Sequence, residues 1–142
     1  MVFNVYGNDR LIAWKEFRDS LEISLNPLAD VAELWSHAPF VSPYLDPQNP
    51  SEWPDPWHLI LDLRLDDLAI ALGMLYTIKL TQRFIDTKCE IHMSMPSNRN
   101  EPSYLLIVDE KYVLNFEYKN VVDIKNLADV KTNLIWSQTK IK

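Results

Sequence analysis

The stretch RLDDLAIALGMLYTIKL, residues 64–80, decides how this chain folds. After two aspartates it runs almost unbroken through apolar side chains. Leu65, Leu68, Ala69, Leu72, Leu75 and Tyr76 share one helical face, and Ile70, Ala71, Met74 and Ile78 cover the others. A helix apolar nearly all round is expected to run through the middle of a domain. Asp66 and Asp67 fall in its first turn, where carboxylates cap free N–H groups and meet the positive end of the helix dipole. Gly73, one of only two glycines, marks close packing against a neighbour.

Upstream, Val2 to Tyr6 reads as a short strand. Asn8 or Asp9 then caps a helix in which Leu11, Ile12, Trp14, Phe17, Leu21 and Ile23 form one broad apolar face. Asn26-Pro27 has the form of a cap followed by proline at the first helical position. Leu28, Val31, Ala32, Leu34 and Trp35 continue this second helix until Pro39 stops it. Between Pro39 and Pro56 there are six prolines, which excludes a regular helix or central strand. Phe40, Val41, Tyr44, Leu45 and Trp53 are too apolar for a solvated linker, so an ordered wrap is expected. Asp55-Pro56 caps a short helical turn holding Trp57, Leu59 and Ile60.

Downstream the period changes. Lys88, Glu90, His92 and Ser94 alternate with Cys89, Ile91, Met93 and Met95, which predicts a strand with one wet and one buried face. Ser97 to Pro102 is a polar turn. Tyr104 to Val108 and Tyr112 to Phe116 predict a hairpin about Asp109-Glu110-Lys111, with edge strands at Val121 to Ile124 and Leu134 to Trp136. Helices followed by strands give an α+β fold: N-terminal helices and a buried central helix packed on an antiparallel sheet. One domain spans 1–142, with a helical part at 1–38, a Pro/Trp-rich wrap at 39–56, and the central helix plus sheet at 57–142. There is no internal repeat or low-complexity segment.

With 142 residues, 47% of them hydrophobic and 24% charged, the chain can bury a proper core. A formal charge of −6 argues against nucleic acid and anionic membrane as partners, because phosphate contacts need clustered Lys and Arg; protein or small-molecule partners are expected instead. Cys89 is the sole cysteine, so no intrachain disulfide can form. The start MVFNVYGNDR lacks the pattern of a signal peptide, and the apolar runs fall short of the roughly 20 residues of a membrane span. A cytoplasmic site of synthesis and no secretion by signal peptide are the expectation.

The commoner catalytic patterns find little footing. Cys89 and His92 lie three apart on a strand and point to opposite faces, so Cys89 reads as a buried thiol. His37, His58 and His92 stand in no metal-ligand spacing, and no metal or cofactor is expected. Asp62, Asp66 and Asp67 could act as paired carboxylates, but capping explains them more simply. The sequence holds neither a glycine-rich phosphate loop nor a Gly-x-Ser-x-Gly elbow.

Taken together, Trp57-His58-Leu59-Ile60, Leu65-Asp66-Asp67-Leu68-Ala69-Ile70-Ala71, the strand after them, Ser103-Tyr104-Leu105-Leu106 and Val113-Leu114-Asn115 resemble the bacterial transglutaminase-like cysteine proteinases. In that papain-like family the central helix begins Gly-Asp-Cys-Glu-Asp-Tyr-Ala, a histidine opens a strand of the form His-x-Val-Leu, and an aspartate ends Val-Leu-Asp-Asn. The frame agrees over roughly residues 53 to 124. By this resemblance the cysteine position holds Leu65, the histidine position Ser103 (or Tyr104 with a slip of one), and the aspartate position Asn115. None of these forms a thiolate–imidazolium pair, so the resemblance implies the fold without its acyl transfer.

The chain as a whole, with its proline-tryptophan segment PYLDPQNPSEWPDPWHLILD, also resembles small proteins of contractile-tailed phages of marine bacteria. The expectation is therefore a non-enzymatic virion or assembly component, made in the host cytoplasm, whose Phe40, Tyr44, Trp53 and Trp57 contact protein partners, including other virion proteins. One alternative is a hydrolase or transferase using Ser103 or Cys89 with His58 or His92. Another is a small factor that binds and modulates a host protein.

Overall fold

In the computed structural model, which describes residues 2–39, 45–62, 65–95, 101–117, 119–127 and 130–138, four helices precede a five-stranded sheet. The helices are α1 Gly7–Leu21, α2 Pro27–Trp35, α3 Pro56–Asp62 and α4 Asp67–Lys79; the strands are β1 Cys89–Ser94, β2 Ser103–Val108, β3 Tyr112–Glu117, β4 Asn120–Asp123 and β5 Thr132–Gln138. Every neighbouring pair is antiparallel, in the order β4-β3-β2-β1-β5. The fold is α+β, and α4 is its centre as the sequence predicts.

Asp66 is the cap of α4: its carboxylate accepts from Ala69 N at 2.8 Å. From Leu68 to Lys79 only Ile70 and Tyr76 are less than fully buried. One side of α4 lies on β2 and its sheet neighbours, and α2 and α3 cover the other. Gly73 sits where Trp35 crosses: a Cβ there would stand 2.2 Å from the indole ring. The ring cannot simply step aside, because its N–H donates to Thr77 Oγ1 at 3.0 Å. Trp14 from α1 donates to the same oxygen at 3.1 Å, and Thr77 donates in turn to Gly73 O. One threonine thus pins two buried tryptophans to the central helix.

The C-terminal end of α4 is closed by Lys79, whose buried ammonium donates to the carbonyls of Phe84, Ile85 and Thr87. Those contacts draw the chain after α4 back over the helix end, and the Phe84 carbonyl also accepts from Thr87 N at 3.0 Å. At the far side of the sheet a smaller cluster of Leu105, Ile107, Val113, Val122 and Leu127 buries the second face.

Several expectations are corrected. Val2–Asn4 is a 3-10 turn, not a strand. Helix α1 begins at Gly7 after Tyr6, ahead of Asn8 and Asp9, with no side-chain cap. Its buried face is narrower than predicted: Ile12 and Ile23 are exposed, while Arg10 turns inward. The Arg10 guanidinium donates to Val5 O and to Ile60 O and Leu61 O, serving the C-terminal carbonyls of α3, a role no spacing rule reveals. In β1 the alternation fails at its end, where Ser94 is buried and Met95 exposed. Ser94 lies between Ser103 and Thr132 in a central strand, and the strand stops there, so Met95 leaves the pleat. The β2–β3 hairpin turns at Asp109 and Glu110, both at positive φ (58° and 56°), with Lys111 N bonded to Val108 O. The predicted turn at 97–102 lies mostly outside the described residues.

Candidate functional site

The N-terminal end of α4 is where three segments meet through one carboxylate. Asp67 Oδ2 accepts from Tyr104 N at 2.8 Å, and Asp67 Oδ1 accepts from Asn115 Nδ2 at 3.2 Å. Asn115 Nδ2 also donates to Tyr104 O at 2.8 Å, so the opening of β2 and the outer part of β3 are tied to the helix start. Asp66 adds a further tether, its second oxygen accepting from Leu45 N. The Tyr104 phenol is raised in pKa by burial and by the nearby charges of Asp66, Asp67 and Asp46.

Asn115 reaches this position because the β3–β4 register shifts between Val113 and Glu117 and the residue itself takes φ +63°. A bulge re-aims a side chain, and asparagine tolerates the left-handed region better than most residues. Leu65, two residues before Asp67, is fully buried. Ser103 opens β2, half-buried and paired across the sheet with Ser94. Thus residues 104 and 115 bond to the first turn of the helix that Leu65 precedes.

The other candidates are scattered. Cys89 is buried at the opposite end of β1's core face, and burial pushes its thiol up to about 12, with Asp109 adding to the rise and Lys79 opposing it. A thiol so protonated has little nucleophilic strength at neutral pH. His58 lies on the surface, its Nδ1 within 2.8 Å of Asp55. His92 contacts Thr132 Oγ1 at 3.0 Å on the face of β1 away from Cys89. Among the described residues neither histidine is hydrogen-bonded to a cysteine or a serine. Among the described residues no group of three or more His, Cys, Asp or Glu is arranged to hold a metal ion.

Of the four aromatics predicted to meet a partner, Phe40 and Tyr44 lie outside the described residues. Trp53 roofs the molecule's own core: it packs edge-on against Trp136 at 5.9 Å between ring centroids, and its N–H donates to Asp46 O. Trp57 is different, with 44% of its surface exposed.

This helix-on-sheet arrangement is a transglutaminase-like fold. The structure is similar to LapG of Legionella pneumophila, solved after EGTA treatment, with a TM-score of 0.66 and 16% sequence identity over 92% of this chain and 75% of that one. No family model matches the sequence, nor does any curated protein. Among the described residues no helix is long and apolar enough to cross a membrane.

Proposed function

We propose that this is a non-enzymatic protein with a transglutaminase-like fold, serving a contractile-tailed phage as a virion structural or assembly component through protein–protein contacts. The observation that carries the non-enzymatic reading is Leu65, fully buried at the mouth of the central helix, where the resemblance places the thiol of the enzymes. Around it, the polar groups of Asp67 and Asn115 are spent on holding β2 and β3 to α4. The one thiol of the chain is protonated and buried elsewhere. The phage and virion assignment is supported by the resemblance of the chain as a whole, with its proline-tryptophan segment, to small proteins of contractile-tailed phages.

Two measurements test the reading. The purified protein, treated with thiol-directed and serine-directed activity probes, is expected to take up neither. Labelling that vanishes in Cys89→Ala or Ser103→Ala would overturn the non-enzymatic reading. Mass spectrometry of purified particles from the encoding phage is expected to find the chain, and its absence would remove the structural role.

A further inference from the structure

Arg18 stands out among the described arginines. Arg10 donates to three carbonyls and Arg83 to Leu21 O and Ser24 O, whereas Arg18 donates to no acceptor among the described residues. Its guanidinium carbon lies 4.5 Å from the ring centre of Trp14 and 5.5 Å from that of Trp57. The two indoles meet edge-on at 5.7 Å, which makes a fixed aromatic corner around the cation. Arg18 Nε is enclosed with no partner, so the unused donors that remain accessible belong to the terminal nitrogens. The nearest opposing charge, Asp19, is held by Lys15 at 3.0 Å. Cation–π contact compensates for part of the lost hydration but supplies no acceptor.

Trp57 and Leu61, one turn apart on α3, are 44% and 38% exposed. An oriented guanidinium with its terminal edge unpaired, next to an exposed indole and leucine, is complementary to a carboxylate with an apolar neighbour.

We infer that Arg18, Trp57 and Leu61 form an anchoring site for an acidic peptide segment of a protein partner. The carboxylate of an Asp or Glu takes two hydrogen bonds from the terminal nitrogens of Arg18, and an adjacent apolar side chain packs on Trp57 and Leu61. The inference rests on the reading that the protein acts through protein contacts, and it names the chemistry of one contact.

A random peptide library displayed on phage and selected on the full chain tests it. Selected peptides are expected to share an Asp or Glu beside an aromatic or aliphatic residue. A synthetic copy is expected to bind with a Kd that rises at least about tenfold when its acid is changed to the amide, and likewise on Arg18→Gln or Trp57→Ala. Lys125→Gln, an exposed charge in the 3-10 turn after β4, is expected to leave binding unchanged. Because the acid-to-amide comparison uses wild-type protein, it reads the site even if a variant folds poorly. No enrichment, or peptides indifferent to the acid and to Arg18 and Trp57, would overturn the anchoring site. Peptides bound elsewhere would leave the protein-contact reading standing, which only the activity probes and particle analysis overturn.

Discussion

The two ends of α4 are both polar and both closed by long-range hydrogen bonds, yet they differ in how far water reaches. Toward the C-terminus Thr77, Trp14, Trp35 and Lys79 are all at most 2% exposed, so each donor there depends on its protein partner. At the N-terminus Asp67, Asn115 and Ser103 are only half-buried. The N-terminal end, where the resemblance places the candidate site, is thus the end left nearest to solvent, while the other end is built as a clamp. Stability and accessibility are divided along one helix.

The clamp should give the largest response to substitution. Thr77→Val keeps the shape but removes the acceptor of two indole N–H groups and the donor to Gly73 O. Each of the two orphaned buried donors costs about 1–3 kcal/mol, so urea unfolding is expected to show a loss of about 2–6 kcal/mol. A loss below about 1 kcal/mol would mean that water enters here and that the contrast between the ends is false.

At the open end the same kind of deletion should matter less. Asn115→Gly removes the amide that joins Asp67 to Tyr104 O while keeping a residue at ease at positive φ, so it isolates the hydrogen bonds from backbone strain. Water can replace part of what is lost, and the expected cost is about 1 kcal/mol. A cost matching that of Thr77→Val would show that the N-terminal end is as closed as the clamp.

What the sequence made legible follows the same division. The central helix, its Asp66 cap, the tight site at Gly73, the Asn26-Pro27 start and the β2–β3 hairpin all announce themselves through local period or turn chemistry. The clamp does not. Trp14, Trp35 and Thr77 are up to 63 residues apart, and nothing in their spacing says that two indoles share one hydroxyl. The burial of Lys79 and Arg10 has no sequence signal, because their acceptors are backbone carbonyls, which carry no residue identity. At the candidate site the resemblance points to residues 65, 103 and 115, whereas Asp67, which hydrogen-bonds both Tyr104 and Asn115, reads in the sequence as one of a carboxylate pair or, more simply, as a helix-end carboxylate. The bulge that swings Asn115 inward has no signal beyond asparagine itself.

The smallest expected effect is a slope with pH, and it probes the clamp end through two acids, the buried Cys89 and the partly buried Tyr76. Burial pushes Cys89 from 9.0 up to about 12, and burial with the charge of Asp55 pushes Tyr76 from 10.0 up to about 12. Tyr76 also donates its hydroxyl proton to Pro54 O at 2.7 Å, which ionisation would abolish. The unfolded chain, with ordinary values, releases these protons first and so binds fewer of them at alkaline pH. The stabilisation from each raised group is therefore complete below its ordinary value and is lost as pH rises toward about 12. Unfolding free energy is expected to fall above about pH 9, by at most ~1.4 kcal/mol per pH unit for each group. Cys89→Ala should flatten the onset near pH 9, and Tyr76→Phe should flatten the range above pH 10. If instead a water-soluble thiol reagent modifies Cys89 in the folded protein at pH 8 as fast as in urea, the region beside Lys79 is open to solvent. The division between a sealed end and a reachable end of α4 would then fail at the point where it is most sharply drawn.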